Sequence, residues 1–136
     1  MKRTLARENT FILIFEKLCR SEDTAEEIFR MATEIRGLQY DDYVKQVFFG
    51  TVTNAMLIEE LIEKYSVGWT KDRISPVSGA IIRLGIYELL FMEDIPSRVT
   101  INEAIELAKK YDDEKSYSFV NGVLNAVARE TASKSV

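Results

Sequence analysis

The chain has 136 residues, a formal net charge of −4 at neutral pH, no histidine and one cysteine, Cys19. A chain of this length fits one domain, which buries about two-thirds of the surface its unfolded form would expose. The composition excludes an internal disulfide, a histidine-based triad, a histidine general base and most zinc sites. No run of about 18 apolar residues occurs to span a membrane. The start, MKRTLARENT, lacks the apolar core of a signal peptide, so a cytoplasmic protein without cofactor or metal is expected.

Charge is unevenly distributed. Residues 1–20 carry Lys2, Arg3, Arg7, Lys17 and Arg20 against Glu8 and Glu16, which leaves the rest of the chain strongly acidic. An anionic partner would therefore be drawn to the amino-terminal end; the alternative is that these residues only keep the first helix soluble.

Two prolines, six glycines and apolar spacings of three and four point to an all-α fold. The first helix, from about Thr4 to Arg20, aligns Leu5, Ile12, Phe15 and Cys19 in one row. That spacing makes Cys19 a small buried hydrophobe rather than a nucleophile. Arg3 and Arg7 lie one turn apart and are expected to face solvent. Thr24 and Glu27 carry a capping-box signature ahead of a short second helix that stops at Gly37. From Asp42 to Tyr65 the stripe Val44, Val47, Phe48, Thr51, Ala55, Ile58, Ile62 predicts one helix of about 36 Å.

Ser75-Pro76 then reads as an N-cap followed by proline at the first helical position. The helix it opens, from Val77 to Phe91, is apolar on nearly every side and should be central, so its polar Arg83 and Glu88 need partners. "TINE" is a second capping box, Thr100 with Glu103, opening a helix that runs to Tyr111. The last helix, about Lys115 to Arg129, aligns Phe119, Val120, Val123, Leu124 and Val127, with a frayed tail at residues 131–136. Acidic runs such as Glu59-Glu60 and Asp112-Asp113-Glu114 suit helix starts or solvated faces, and none indicates the cleft that carboxylate catalysis requires. A binding protein, not an enzyme, is expected.

"IIRLGIYELLFMEDIPSRVTINEAIELAKKY" followed by "SFVNGVLNAVARE" resembles the NusB family of bacterial transcription antitermination factors, most densely over Leu61 to Glu130 and weakly at "ARE", Ala6 to Glu8. The resemblance implies an all-helical fold of about six to seven helices in two packed helical subdomains, with residues 1–136 acting as one RNA-binding domain. It implies binding to the boxA segment of nascent ribosomal RNA together with NusE, a ribosomal protein, in an RNA polymerase elongation complex with other Nus factors. Such an assembly suppresses termination in ribosomal RNA operons.

Carried onto this chain, the RNA-binding residues would be Lys2, Arg3, Arg7 and Phe119, and the NusE-facing surface would include Phe15, Ser78 and Gly79. Phe119 fits a core row with Val123 and Leu124 equally well. Asn102, Glu103, Asn121 and Gly122 would shape a helix surface for RNA, with Gly122 permitting close approach. The chain departs from the family pattern at Phe15, where a tyrosine is common, at Ser78-Gly79, where polar or acidic residues are common, and at Asn125, where aspartate is frequent. Two rival readings stay open: an accessory RNA-targeting domain of a ribosomal RNA methyltransferase, and a helical scaffold that binds only protein. Monomer and homodimer are both compatible with the sequence.

Overall fold

The computed structural model describes residues 1–66, 68 and 74–134. Among them are seven α-helices and no strand: α1 (Arg3–Cys19), α2 (Ala25–Arg30), α3 (Asp42–Thr53), α4 (Ala55–Tyr65), α5 (Pro76–Phe91), α6 (Ser97–Tyr111) and α7 (Glu114–Lys134). α1–α3 and α4–α7 form two helical groups joined across α5, which packs against α1, α3, α4, α6 and α7. The central position expected for this helix follows from its composition: Ile81, Ile82, Leu84, Ile86 and Leu89 are buried on several sides at once. Ser75 caps it as expected, accepting a hydrogen bond from the Ser78 backbone N–H with Pro76 just inside the helix.

α5 and α7 approach closely at Gly85, where a Cβ would stand 2.8 Å from Leu124 Cδ1. The close approach expected at Gly122 is absent: among the described residues nothing from outside its own stretch of helix lies within 4 Å of a Cβ placed there. Thr24 caps α2 by accepting from the Glu27 N–H. α2 continues into a π-helical turn, Met31–Ile35, and ends at Gly37, whose φ of +72° suits glycine.

Four expectations are corrected. The helix foreseen from Asp42 to Tyr65 breaks at Asn54, which separates α3 from α4. Its side-chain amide donates to the Gly50 carbonyl at 2.7 Å, a local bond that competes with the regular ladder. α6 starts at Ser97, directly after Pro96, so Thr100 lies inside the helix and is not its cap. α1 is rotated from its expected row: Ala6, Thr10, Leu13 and Ile14 face the core, while Leu5 is 39% exposed. Cys19, which shares Leu5's side, is consequently exposed. Thr10 tolerates burial because its hydroxyl donates to the Ala6 carbonyl at 2.7 Å.

Candidate nucleic-acid interface

The basic amino terminus sits where α1, α3, α5 and α6 converge, and one buried carboxylate organises the junction. Glu88, on α5, is 1% exposed. It accepts from Arg7 Nε at 2.7 Å and Arg7 Nη2 at 3.2 Å, a two-pronged contact. Thr100 Oγ1 donates to it at 2.7 Å from α6, and the Tyr43 hydroxyl donates from α3. The partner that Glu88 requires is thus supplied from three helices. Burial opposes the charged form of Arg7, but the hydrogen bond and charge of Glu88 outweigh it and hold the guanidinium above its ordinary pKa. Burial first, and the adjacent carboxylate second, push the Tyr43 hydroxyl far above its ordinary value.

Arg7 was expected at the surface; it is 4% exposed, so its guanidinium is spent on the core. A charged group is almost never fully buried unless it is paired, and here the pair explains the burial. Arg7 also approaches Glu103 at 3.6 Å, and Thr4 Oγ1 donates to the same carboxylate at 3.3 Å. Arg3 remains outside, its guanidinium 4.4 Å above the Tyr43 ring centre. Lys2 is exposed beside it and immediately precedes α1, which has neither a side-chain cap nor an acidic residue in its first turn. The positive end of this 17-residue helix, Lys2, Arg3 and the terminal amine therefore form one electropositive cap, a surface suited to phosphate.

Phe119 belongs to the core, at 4% exposure, and cannot offer a ring face to a base. Asn121 and Gly122 are exposed on α7, with the Asn125 amide donating back to Asn121. Asn102 is exposed on α6.

The three residues assigned to a protein partner divide differently. Phe15 is half-buried against Phe11, with ring centres 6.3 Å apart. Ser78 is buried, and its hydroxyl donates to Asp112 Oδ2 at 2.8 Å, so it presents no group to a partner. Burial works against the Asp112 carboxylate, yet hydrogen bonds from Ser75 and Ser78, with further ones from Asp113 and Ser116, hold it below its ordinary pKa. Gly79 lies in the floor of a cleft of about 700 Å³ between α1, α4 and α5, lined by Leu18, Met56, Ile62 and Arg83 among others. Burial lowers the Arg83 guanidinium, against the pull of Glu59 3.7 Å away. Among the described residues no cluster of histidine, cysteine or acidic side chains could hold a metal, and no helix is long and apolar enough to cross a membrane.

Tyr43 was missed in the sequence because its spacing is that of an ordinary core aromatic, and Thr100 because a capping box explained it already. The only signal was the unpaired Glu88 inside an otherwise apolar helix.

Residues 4–129 match the model of the NusB family. The chain is 40% identical over 134 residues to the transcription antitermination protein NusB of Natranaerobius thermophilus, covering 96% of each chain. It is 44% identical over 131 residues to NusB of Clostridium perfringens strain SM101, covering 93% of this chain and 96% of that one. Among solved structures, T. maritima NusB superposes with a TM-score of 0.83 at 37% identity, covering 96% of this chain and 92% of that one. A crystal structure of the antitermination factors NusB and NusE in complex with dsRNA superposes with a TM-score of 0.82 at 30% identity, covering 94% and 96%.

Proposed function

The chain belongs to the NusB family, and on that premise we propose that it is an RNA-binding transcription antitermination factor, acting by binding and not by catalysis. In this reading residues 1–136 act as one domain in the cytoplasm. They bind the boxA segment of nascent ribosomal RNA together with NusE, within an elongation complex that contains RNA polymerase and other Nus factors. The carrying observation is the start of α1, which has no side-chain cap and no acidic residue of its own in its first turn, and where Lys2 and Arg3 project from a helix anchored to the core by Arg7 and Glu88. Arg7 acts in it as a positioning residue: it fixes the helix that presents the other two. For a protein partner the surface is the cleft over Gly79, lined from α1 by Leu18, with half-buried Phe15 about one turn earlier on the same helix, while buried Ser78 holds Asp112.

With Lys2, Arg3 and the terminal amine contacting phosphate, the logarithm of affinity for single-stranded RNA should fall with log salt at a slope of about −2. The test is fluorescence anisotropy with a boxA-like strand, a scrambled strand and a duplex of the same sequence, with and without NusE, at two salt concentrations. Preference for the boxA-like sequence that sharpens with NusE supports the reading. Equal, weak and salt-erased binding to all three, unaffected by NusE, refutes it.

A further inference from the structure

Two exposed basic side chains and an amine give a weak electrostatic hold, so a single strand needs stacking surfaces as well. Phe119 is buried and supplies none. Among the described residues the exposed aromatic side chains are Tyr40, Phe91 and Tyr111. Tyr40 stands edge-on to Phe29, in the segment between α2 and α3, and has no basic residue beside it in the chain. Phe91 is followed by the exposed acids Glu93 and Asp94, which repel phosphate. Tyr111 is likewise followed by acids, Asp112, Asp113 and Glu114, but differs in the lysines that precede it. It ends α6 directly after Lys109 and Lys110, is 39% exposed, and is backed by the Phe11 ring at 4.9 Å.

The helices that carry the cap and this ring run side by side in the same direction: Thr4 meets Glu103, Glu8 meets Lys110, and Phe11 meets Tyr111. Between them lies a shallow trough of about 400 Å³ lined by Thr4, Glu8, Leu107 and Lys110 with the acids Glu103 and Glu106. From the level of Arg3 to that of Phe11 the rise is about 12 Å at 1.5 Å per residue, a length that a few nucleotides cover. Each acid in the trough faces a cation: Glu8 with Lys110 at 2.6 Å, Glu103 with Arg7 at 3.6 Å, and Glu106 with Lys109 at 3.4 Å. Because Arg7 is already matched by Glu88, the two lysines offset two of the three acids and the trough keeps about one negative charge, at Glu103. The far end of the trough carries the Tyr111 ring, with the Lys110 ammonium over it 5.5 Å from the ring centre, so a stacking base would take the place of that mobile side chain.

We propose that Tyr111 is a base-stacking platform for single-stranded RNA whose backbone enters at Lys2 and Arg3 and follows the α1–α6 trough. This rests on the RNA-binding reading above. It makes the site a track with a cationic entrance and an aromatic stop, so that affinity contains a part that salt does not remove.

The experiment compares the full chain with Y111F, Y111W and Y111L, using a boxA-like RNA with 2-aminopurine placed in turn along the strand. Y111F and Y111W should keep both affinity and the quenching of one 2-aminopurine position. Y111L should lose about tenfold in affinity, within the range for one lost base–aromatic stack, and lose that quenching, with an unchanged salt slope. Thermal melting of each variant identifies a folding defect. Unchanged affinity in Y111L, or lost affinity with quenching retained, overturns the proposal. So does a Y111L variant that binds RNA normally but binds NusE poorly, since the ring would then belong to a protein contact. If the unaltered chain shows no preference for the boxA-like strand, the RNA-binding reading itself falls, whatever the variants do.

Discussion

Replacing Arg7 by methionine keeps most of the side chain's apolar stem and removes its charge. Were Arg7 a solvent-facing residue, the change would cost less than about 0.5 kcal/mol. In the structure it strands Glu88, 1% exposed, with two hydroxyl donors in place of four hydrogen bonds and no counter-charge. Breaking a buried pair in this way costs about 3–5 kcal/mol, and the surviving Tyr43 and Thr100 bonds put R7M near the lower end, about 3 kcal/mol. At about 2.1 cal/mol/K of unfolding entropy per residue, a chain of this length loses about 3.5 °C per kcal/mol, so Tm should drop by about 10 °C. Adding E88Q removes the orphaned charge, and the double variant should regain about half of the loss. The assay is circular dichroism at 222 nm under heat and under urea, with RNA anisotropy measured well below both transitions. An R7M melting point within about 2 °C of the parent, or a double variant no more stable than R7M, would refute the anchoring role.

Three further outcomes follow from the packing. F119A should destabilise by about 3–5 kcal/mol, as expected for an aromatic removed from a core, while RNA affinity measured below its transition stays near that of the parent; an affinity loss without a melting shift would show that the ring reaches RNA. G122A should stabilise α7 by about 0.5–1 kcal/mol, because among the described residues nothing outside its own stretch of helix lies near the added methyl, whereas G50A should destabilise by about 1–3 kcal/mol because its Cβ would run into the Tyr87 ring; equal melting points for the two would refute the packing described. Asp112 has a folded pKa depressed below its ordinary value, so its contribution is present above the unfolded pKa and is lost as pH falls through the folded one. The urea-midpoint advantage of the parent over D112N should accordingly be full at pH 7 and shrink below about pH 4; an advantage unchanged between pH 6 and pH 3 would count against it.

Much of the fold could be read from the sequence because the strongest signals are local. Ser75-Pro76 fixes the start of α5 through two adjacent residues, and the all-round apolar pattern after it has no solution except a central helix. What was not legible depends on distant partners. Arg7 and Glu88 are 81 positions apart, and nothing in "LARE" distinguishes an arginine aimed inward from one aimed at solvent. Thr100 has the spacing of a cap, yet its hydroxyl is taken up by Glu88, and the helix start shifts to Ser97. The apolar stripe runs through Asn54 without a gap, so periodicity continues where the helix does not. In the candidate interface, charge pointed to the amino-terminal end, where Lys2 and Arg3 are exposed. It could not separate them from Arg7, because charge counts carry no direction.

The Glu88 junction also constrains how such a sequence can change. Side chains from three helices meet at the Glu88 carboxylate on a fourth, so a substitution at Arg7 or Glu88 passes through a state with a buried unpaired charge, and one at Tyr43 or Thr100 leaves that charge short of a donor. Single steps away from the set are each costly, while a joint replacement by apolar residues of similar volume need not be. On these energetics the four positions should change together as a block and not one at a time, and such an exchange would leave Lys2 and Arg3 to be held in place by some other contact.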